Sequence, residues 1–221
     1  MKRVNPLVTG EYYHIINKSI ASFKIFNNEK DYLRMLNLVR YYQIQGQPVK
    51  FSNYLKSSLV QKIGFQKAFS LNAKDQDKII EIIAYCLMPT HIHLILKQLK
   101  DVGISLYMRK VLDSYSRYFN LNHRRNGPLW ENRFKNILVE TDEQLLHLTR
   151  YIHLNPTTAL LVKQPAQWKY SSYSEYINKN LNDPITNFNN LNTDPRDYKK
   201  FTEDRVGFQQ ELAKIKHLVL D

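Results

Sequence analysis

Apolar positions recur along the chain with two periods, and the alternation between them predicts an order of elements. The stretch "GEYYHIINKSI" is aromatic and β-branched after a glycine and reads as a first strand. "NEKDYLRMLNLVRYY" sets Tyr32, Met35, Leu36 and Val39 at helical spacing, with Asn28 as N-cap. Residues 43–78 show no clean period apart from a helix around "LVQKIGFQKAF", and are read as an insertion or local basic subregion. "KIIEIIAYCLM" and "HIHLILK" are apolar, β-rich runs joined by Pro-Thr, as adjacent central strands would be. "VGISLYMRKVLDSYSRYFNLNH" has the period of a long amphipathic helix, and "FKNILVE" alternates as a strand. In "TDEQLLHLTRYIHLNP", Thr141 and Gln144 form a capping-box pattern and Asp142 and Glu143 favour the positive end of the helix dipole, while Pro156 ends the run. Strand, helix, strand, strand, helix, strand, helix is the order of a ferredoxin-like α+β sandwich. It implies an antiparallel sheet with helices on one face and the other face open to a ligand.

After "WKYSSYSEYI" the composition turns Asn-rich and apolar-poor, which predicts a boundary near residue 180. Residues 1–180 would then form the main domain, with the insertion at 43–78. Residues 181–221 would form a linker and a helical extension carrying Tyr198, Phe201, Phe208, Leu212 and Ile215 on a packing face.

Composition narrows the partners. One cysteine, Cys86, excludes an internal disulfide and a cysteine-cluster zinc site, and fits a reducing cytoplasm. "KIIEIIAYCLM" is far short of the roughly 18 apolar residues of a membrane span, so no membrane association and a cytoplasmic location are expected. The formal charge of +12 favours a polyanion, with nucleic acid the first candidate. Basic residues concentrate at Arg109, Lys110, Arg117, Arg124, Arg125, Arg133 and Lys135 against Asp113 and Glu131, interleaved with Tyr115, Tyr118, Phe119 and Trp130. This mixture suits phosphate contact and base stacking, although some of these aromatics belong in the core of the long helix.

Two short stretches carry candidate chemistry. In the strand "HIHLILK", His91 and His93 project to one side while Ile92 and Leu94 point to the other. In "RYIHLNP", Tyr151 and Asn155 stand one helical turn apart on one face, beside the apolar stripe of Leu145, Leu148 and Ile152. Taken singly, these are a histidine pair in a strand, a boundary tyrosine and a helix-stopping asparagine. Taken together, two imidazole nitrogens and an amide oxygen make an open site for a divalent cation such as Mg or Mn. Tyr151 is then the candidate nucleophile toward a phosphate.

"MPTHIHLIL", "RYIHLNPTTALLV" and "WKYSSY", in that order, resemble the HUH-superfamily single-tyrosine transposases of the REP-associated type, over residues 10–175 and into the C-terminal tail. The resemblance implies a metal-dependent enzyme that cuts and rejoins single-stranded DNA beside a hairpin through a 5'-phosphotyrosine. It assigns His91, His93 and Asn155 to the metal and Tyr151 to the nucleophile, making residues 1–180 the catalytic domain. Relatives carry a Gly-containing "RG" after the first strand, where this chain has Lys18 and Ser19. His147, one turn before Tyr151, is a candidate base or phosphate contact, and His153 is expected at the surface. A non-catalytic DNA- or RNA-binding protein on the same scaffold is the alternative. Two-His-one-carboxylate iron chemistry lacks a carboxylate near either motif. A monomer is favoured over a homodimer, with the choice between a cis and a trans active site open.

Overall fold

The computed structural model describes residues 6–47, 49–74, 76–178, 181, 183–187, 191 and 193–211. Leu212 and Ile215 of the expected packing face lie outside the described residues.

Four strands form one antiparallel sheet in the order β2-β3-β1-β4, with β1 at Tyr12–Lys18, β2 at Ile80–Met88, β3 at His91–Gln98 and β4 at Lys135–Val139. Helix α1 (Glu29–Tyr41) joins β1 to β2 and α5 (Gly103–Asn122) joins β3 to β4, which is the ferredoxin-like connectivity predicted from the periodicity. Asn28 caps α1 by accepting a hydrogen bond from the Asp31 amide.

The insertion forms α2 (Phe51–Tyr54), α3 (Ser58–Ile63) and α4 (Phe65–Ala73). The single helix expected around "LVQKIGFQKAF" is broken at Gly64, whose φ of +81° cannot continue a right-handed helix. Phe51, Tyr54 and Phe69 pack around the buried Tyr41, so the insertion extends the core on the α1 side of the sheet.

Alternation along the strands divides the interior in two. Ile15, Leu94, Leu96 and Leu87 face α1 and α5 with Met35, Leu38, Tyr107, Met108 and Val111. The opposite face carries Ala84, Cys86, Ile95 and Val139 under Leu145 and Ile152 of α6 (Asp142–Thr158). The predicted open face is therefore partly covered. The apolar stripe of α6 has to be buried, and the β2 side of that face supplies the apolar partner.

Thr141 caps α6 through the Gln144 amide, and Gln144 reaches back to the Glu140 amide. Pro156 does not end the helix as expected. It lies inside the last turn, and α6 runs to Thr158 because a proline this close to the end removes only one intrahelical bond. Beyond it, the "WKYSSY" segment lies along edge strand β2, with hydrogen bonds from the Leu87 amide to the Tyr170 carbonyl and from the Ser172 amide to the Tyr85 carbonyl. Helices α7 (Tyr173–Ile177) and α8 (Pro195–Glu203) complete this layer, with Tyr198 of α8 buried against α6 and α7.

Candidate active site

Strand β3 begins at His91, and its pleat puts His91 and His93 on the face that α6 crosses, with ring centroids 4.9 Å apart. A third imidazole joins them. His14 of β1 lies on the same face, and its Nε2 is 3.0 Å from Nδ1 of His93, with the two rings stacked. Sequence reading missed His14, because its proximity depends on β1 pairing with β3 in a register that sets Ile16 opposite His93. The alternation of "YYHIINK" gives its face only once that pairing is known.

The ring nitrogens sort themselves by partner. Nδ1 of His93 is engaged by His14, and Nδ1 of His91 lies 3.0 Å from the Thr90 hydroxyl. Among the described residues neither Nε2 has a hydrogen-bond partner. This is the arrangement of metal-ligating histidines, in which one nitrogen is held by a neighbour and the other is left to the cation.

Burial keeps the imidazoles neutral. His14 is pushed down to about 4 by burial, His91 to about 4 by burial and then Lys18, and His93 to about 2 by burial, then His91, His14 and Lys18. All three therefore retain lone pairs at neutral pH. The same shifts link stability to pH. As the folded values lie below the ordinary 6.5, the unfolded chain takes up protons first on acidification. The stabilisation is complete above about 6.5 and is lost as pH falls toward 4. Calorimetry in chelator should show the thermal midpoint dropping steeply between about pH 6.5 and 4. A midpoint flat down to about pH 4.5 would contradict buried neutral imidazoles.

Helix α6 supplies the remaining groups. With Leu145, Thr149 and Ile152 on its buried centre line, Tyr151 and Asn155 fall on one flank, and Arg150 and His153 on the other. The Tyr151 ring stands edge-on to the imidazoles, 6.2 Å from His93 and 6.4 Å from His14 between centroids, while the residue stays 48% exposed. Within the chain, the tyrosine sits over His93 and His14. Asn155 is buried, and its side-chain Nδ2 has no hydrogen-bond partner. Asn155 shares the Tyr151 flank of α6, and a carboxamide Oδ1 is the oxygen ligand that, with two imidazole nitrogens, fits an oxygen- and nitrogen-ligated divalent cation. No cluster of three or more His, Cys, Asp or Glu suited to a metal occurs among the described residues, so Asn155 would have to complete the set.

Two other histidines have different roles. His153, expected at the surface, is fully buried, with Nδ1 2.7 Å from the Tyr198 hydroxyl and Nε2 2.7 Å from Ser172 Oγ. Spacing does rotate it away from Tyr151, but that flank of α6 is covered by α7 and α8. His147 is turned toward α8, held 2.8 Å from the Arg150 guanidinium and packed edge-on against Phe201.

The predicted DNA-contacting cations do not share one face. Lys135 is exposed on β4, opposite Ile16 and on the histidine face, and Arg133 is exposed just before it. Arg124 is exposed in the loop after α5, and Arg109 is exposed on α5. Lys110 and Arg117 line a groove on the other side of the sheet. The Arg125 guanidinium is committed to its own loop, hydrogen-bonding Asn120 and the carbonyls of Gly127 and Pro128. Tyr115 and Phe119 are core residues, and Trp130 is half-buried and donates to the Leu112 carbonyl.

Residues 40–155 match the family described as IS200-like transposases, which is more than half the chain, and the protein belongs to that family. A Haemophilus influenzae protein named for the REP-associated tyrosine transposases is 28% identical over 103 residues, 42% of this chain and 58% of that relative's length. A solved REP-associated tyrosine transposase, bound to a REP hairpin, superposes with a TM-score of 0.57 at 14% identity, covering 85% of this chain and 93% of that one. At that identity the likeness is one of fold. No helix among the described residues is long and apolar enough to cross a membrane.

Proposed function

We propose that the protein is a metal-dependent, single-tyrosine transposase that cleaves and rejoins single-stranded, hairpin-associated DNA. The observation that carries this reading is the half-exposed Tyr151 phenol braced over His93 and His14, on the sheet face that also carries His91. Family membership, and the hairpin held by the structural relative, favour DNA as the substrate.

A divalent ion, Mg or Mn, held by His91, His93 and Asn155, would polarise the scissile phosphate. Tyr151 Oη loses its proton to solvent and attacks phosphorus. The O–P bond to tyrosine forms as the bond to the 3'-oxygen breaks, and that oxygen takes up a proton to leave as a hydroxyl. The product is a 5'-phosphotyrosine, and attack by a 3'-hydroxyl reverses the step. Lys18, beside His91, and Lys135, on the same face, would pair with phosphate oxygens. Because one chain completes the site, a monomer can be the active unit. Residues 1–180 form its catalytic domain, and 181–221 form an extension that docks α8 on α6. The buried cysteine and a DNA substrate fit a cytoplasmic location.

His14 has a positioning role. Its Nε2 lies 3.0 Å from Nδ1 of His93, and by accepting a hydrogen bond from that nitrogen it would fix the tautomer whose Nε2 carries the lone pair. His14→Ala should weaken Mn binding by about 10- to 100-fold in calorimetric titration. Unchanged affinity in a folded variant would remove the role.

The proposal as a whole is tested with a labelled hairpin oligonucleotide in Mg, Mn or chelator. A covalent protein–DNA band on a denaturing gel, present with metal and absent in chelator, is expected. A mobility shift without any adduct would favour the non-catalytic binder.

A further inference from the structure

The sheet has a second basic feature, on the side away from Tyr151. A groove of about 810 Å³ runs between α5 and the 43–78 insertion, walled by Arg34, Lys50, Lys56, Lys110 and Arg117 against one carboxylate, Asp113. At its base the Arg34 guanidinium is clamped between two rings, 4.4 Å from the Phe51 centroid and 5.0 Å from that of Tyr118. Among the described residues Arg34 has no hydrogen bond or ion pair, and its Nε is buried without a partner. Burial pushes its pKa below the ordinary arginine value. Lys110 sits over the Tyr42 ring at 5.9 Å. A cation held rigid and partly desolvated, with no carboxylate to offset the cost, is poised for an incoming anion.

We propose that this groove is a second binding site for the DNA backbone, holding a segment of the substrate remote from the cleaved phosphate. Five cations lining one groove suit a chain of several phosphates better than a single small anion. Exposed cations lie along the chain between the two sites. Arg117 faces the groove, Arg124 follows in the loop after α5, and Arg133 and Lys135 lead onto β4, an edge strand whose Lys135 lies on the histidine face. DNA leaving the Tyr151 site would thus pass round the β4 edge into the groove. The insertion, which contributes Lys50 and Lys56, becomes a clamp on flanking DNA.

The choice of DNA rests on the proposed function, whereas the groove and its unpaired arginine do not. The test is binding in chelator with Tyr151→Phe protein, so that no cleavage intervenes. Two further changes are compared in that background: Lys50→Gln with Lys56→Gln, both exposed, and Arg34→Met, which keeps an apolar chain between the rings. Fluorescence anisotropy would use single strands of about 8 and about 40 nucleotides, shorter and longer than a compact single-strand site. On the long strand each variant should bind at least about 10-fold more weakly at moderate salt. The lysine pair should also flatten the log–log salt slope by about 1.4, as for two lost phosphate contacts. On the short strand, affinity should stay within about 2-fold.

Thermal midpoints at or above that of the Tyr151→Phe parent would show that the variants fold. Parental affinity and slope on the long strand in folded variants would overturn the proposal. So would a larger loss on RNA of the same sequence than on DNA. Failure to form the tyrosine adduct in the separate metal assay would instead overturn the catalytic reading and leave this result standing.

Discussion

Tyr151→Phe should abolish the covalent protein–DNA adduct, lowering cleavage by about 10⁴-fold or more, while leaving DNA affinity and thermal stability close to wild type. The change removes one oxygen atom, the proposed nucleophile. The ring's edge contacts with His93 and His14 are retained by phenylalanine, and the residue is 48% exposed, so no buried polar group loses a partner. Stability should therefore move by no more than about 0.5 kcal/mol. Oligonucleotide affinity should stay within about 2-fold, because binding to the backbone is carried by lysine and arginine. Denaturing gels and single-turnover kinetics with Mn separate these quantities. Persistence of an adduct would move the nucleophile to another residue while sparing the reaction class. Loss of binding along with cleavage would mean that the phenol serves recognition instead.

The elements that position this site were legible from periodicity because each has a strong local cause. Alternation put His91 and His93 on one face, and the Thr141 cap with the Leu145–Ile152 stripe oriented α6, so that Tyr151 and Asn155 fell on a common flank. What stayed hidden depends on long-range pairing. His14 is separated from His93 by 79 positions and meets it only through the β1–β3 register. The seven cations between Arg109 and Lys135 read as one basic stretch, yet a helix, a loop and a strand distribute them over both sides of the sheet. His153 was misplaced for a related reason. Helical spacing rotates it off the Tyr151 flank, but nothing local reveals that the other flank is covered by a helix some 40 residues away, α8.

That covered flank carries the largest stability effect expected outside the main core. The His153 imidazole is fully buried and joins three elements, α6 through its backbone, α8 through the Tyr198 hydroxyl and the "WKYSSY" segment through Ser172 Oγ. Burial pushes its pKa down to about 3, so it is neutral, with one nitrogen donating and the other accepting. His153→Ala would leave a cavity and deprive two buried hydroxyls of a partner. Ser172 keeps its contacts with Tyr85, which limits the loss. A cost of about 2–4 kcal/mol follows, or a midpoint lowered by roughly 5–12 °C for a chain of this size. Hydrogen exchange locates the effect. Amides of α8 (Pro195–Glu203) should lose protection first, because the helix is tied to α6 through Tyr198, whereas those of β1 and β3 should follow the global midpoint. His153→Gln, which can restore one of the two hydrogen bonds, should recover part of the loss. Unchanged α8 protection in the alanine variant would show that Tyr198 is held by ring packing on Tyr176 and Phe201 and not through the imidazole.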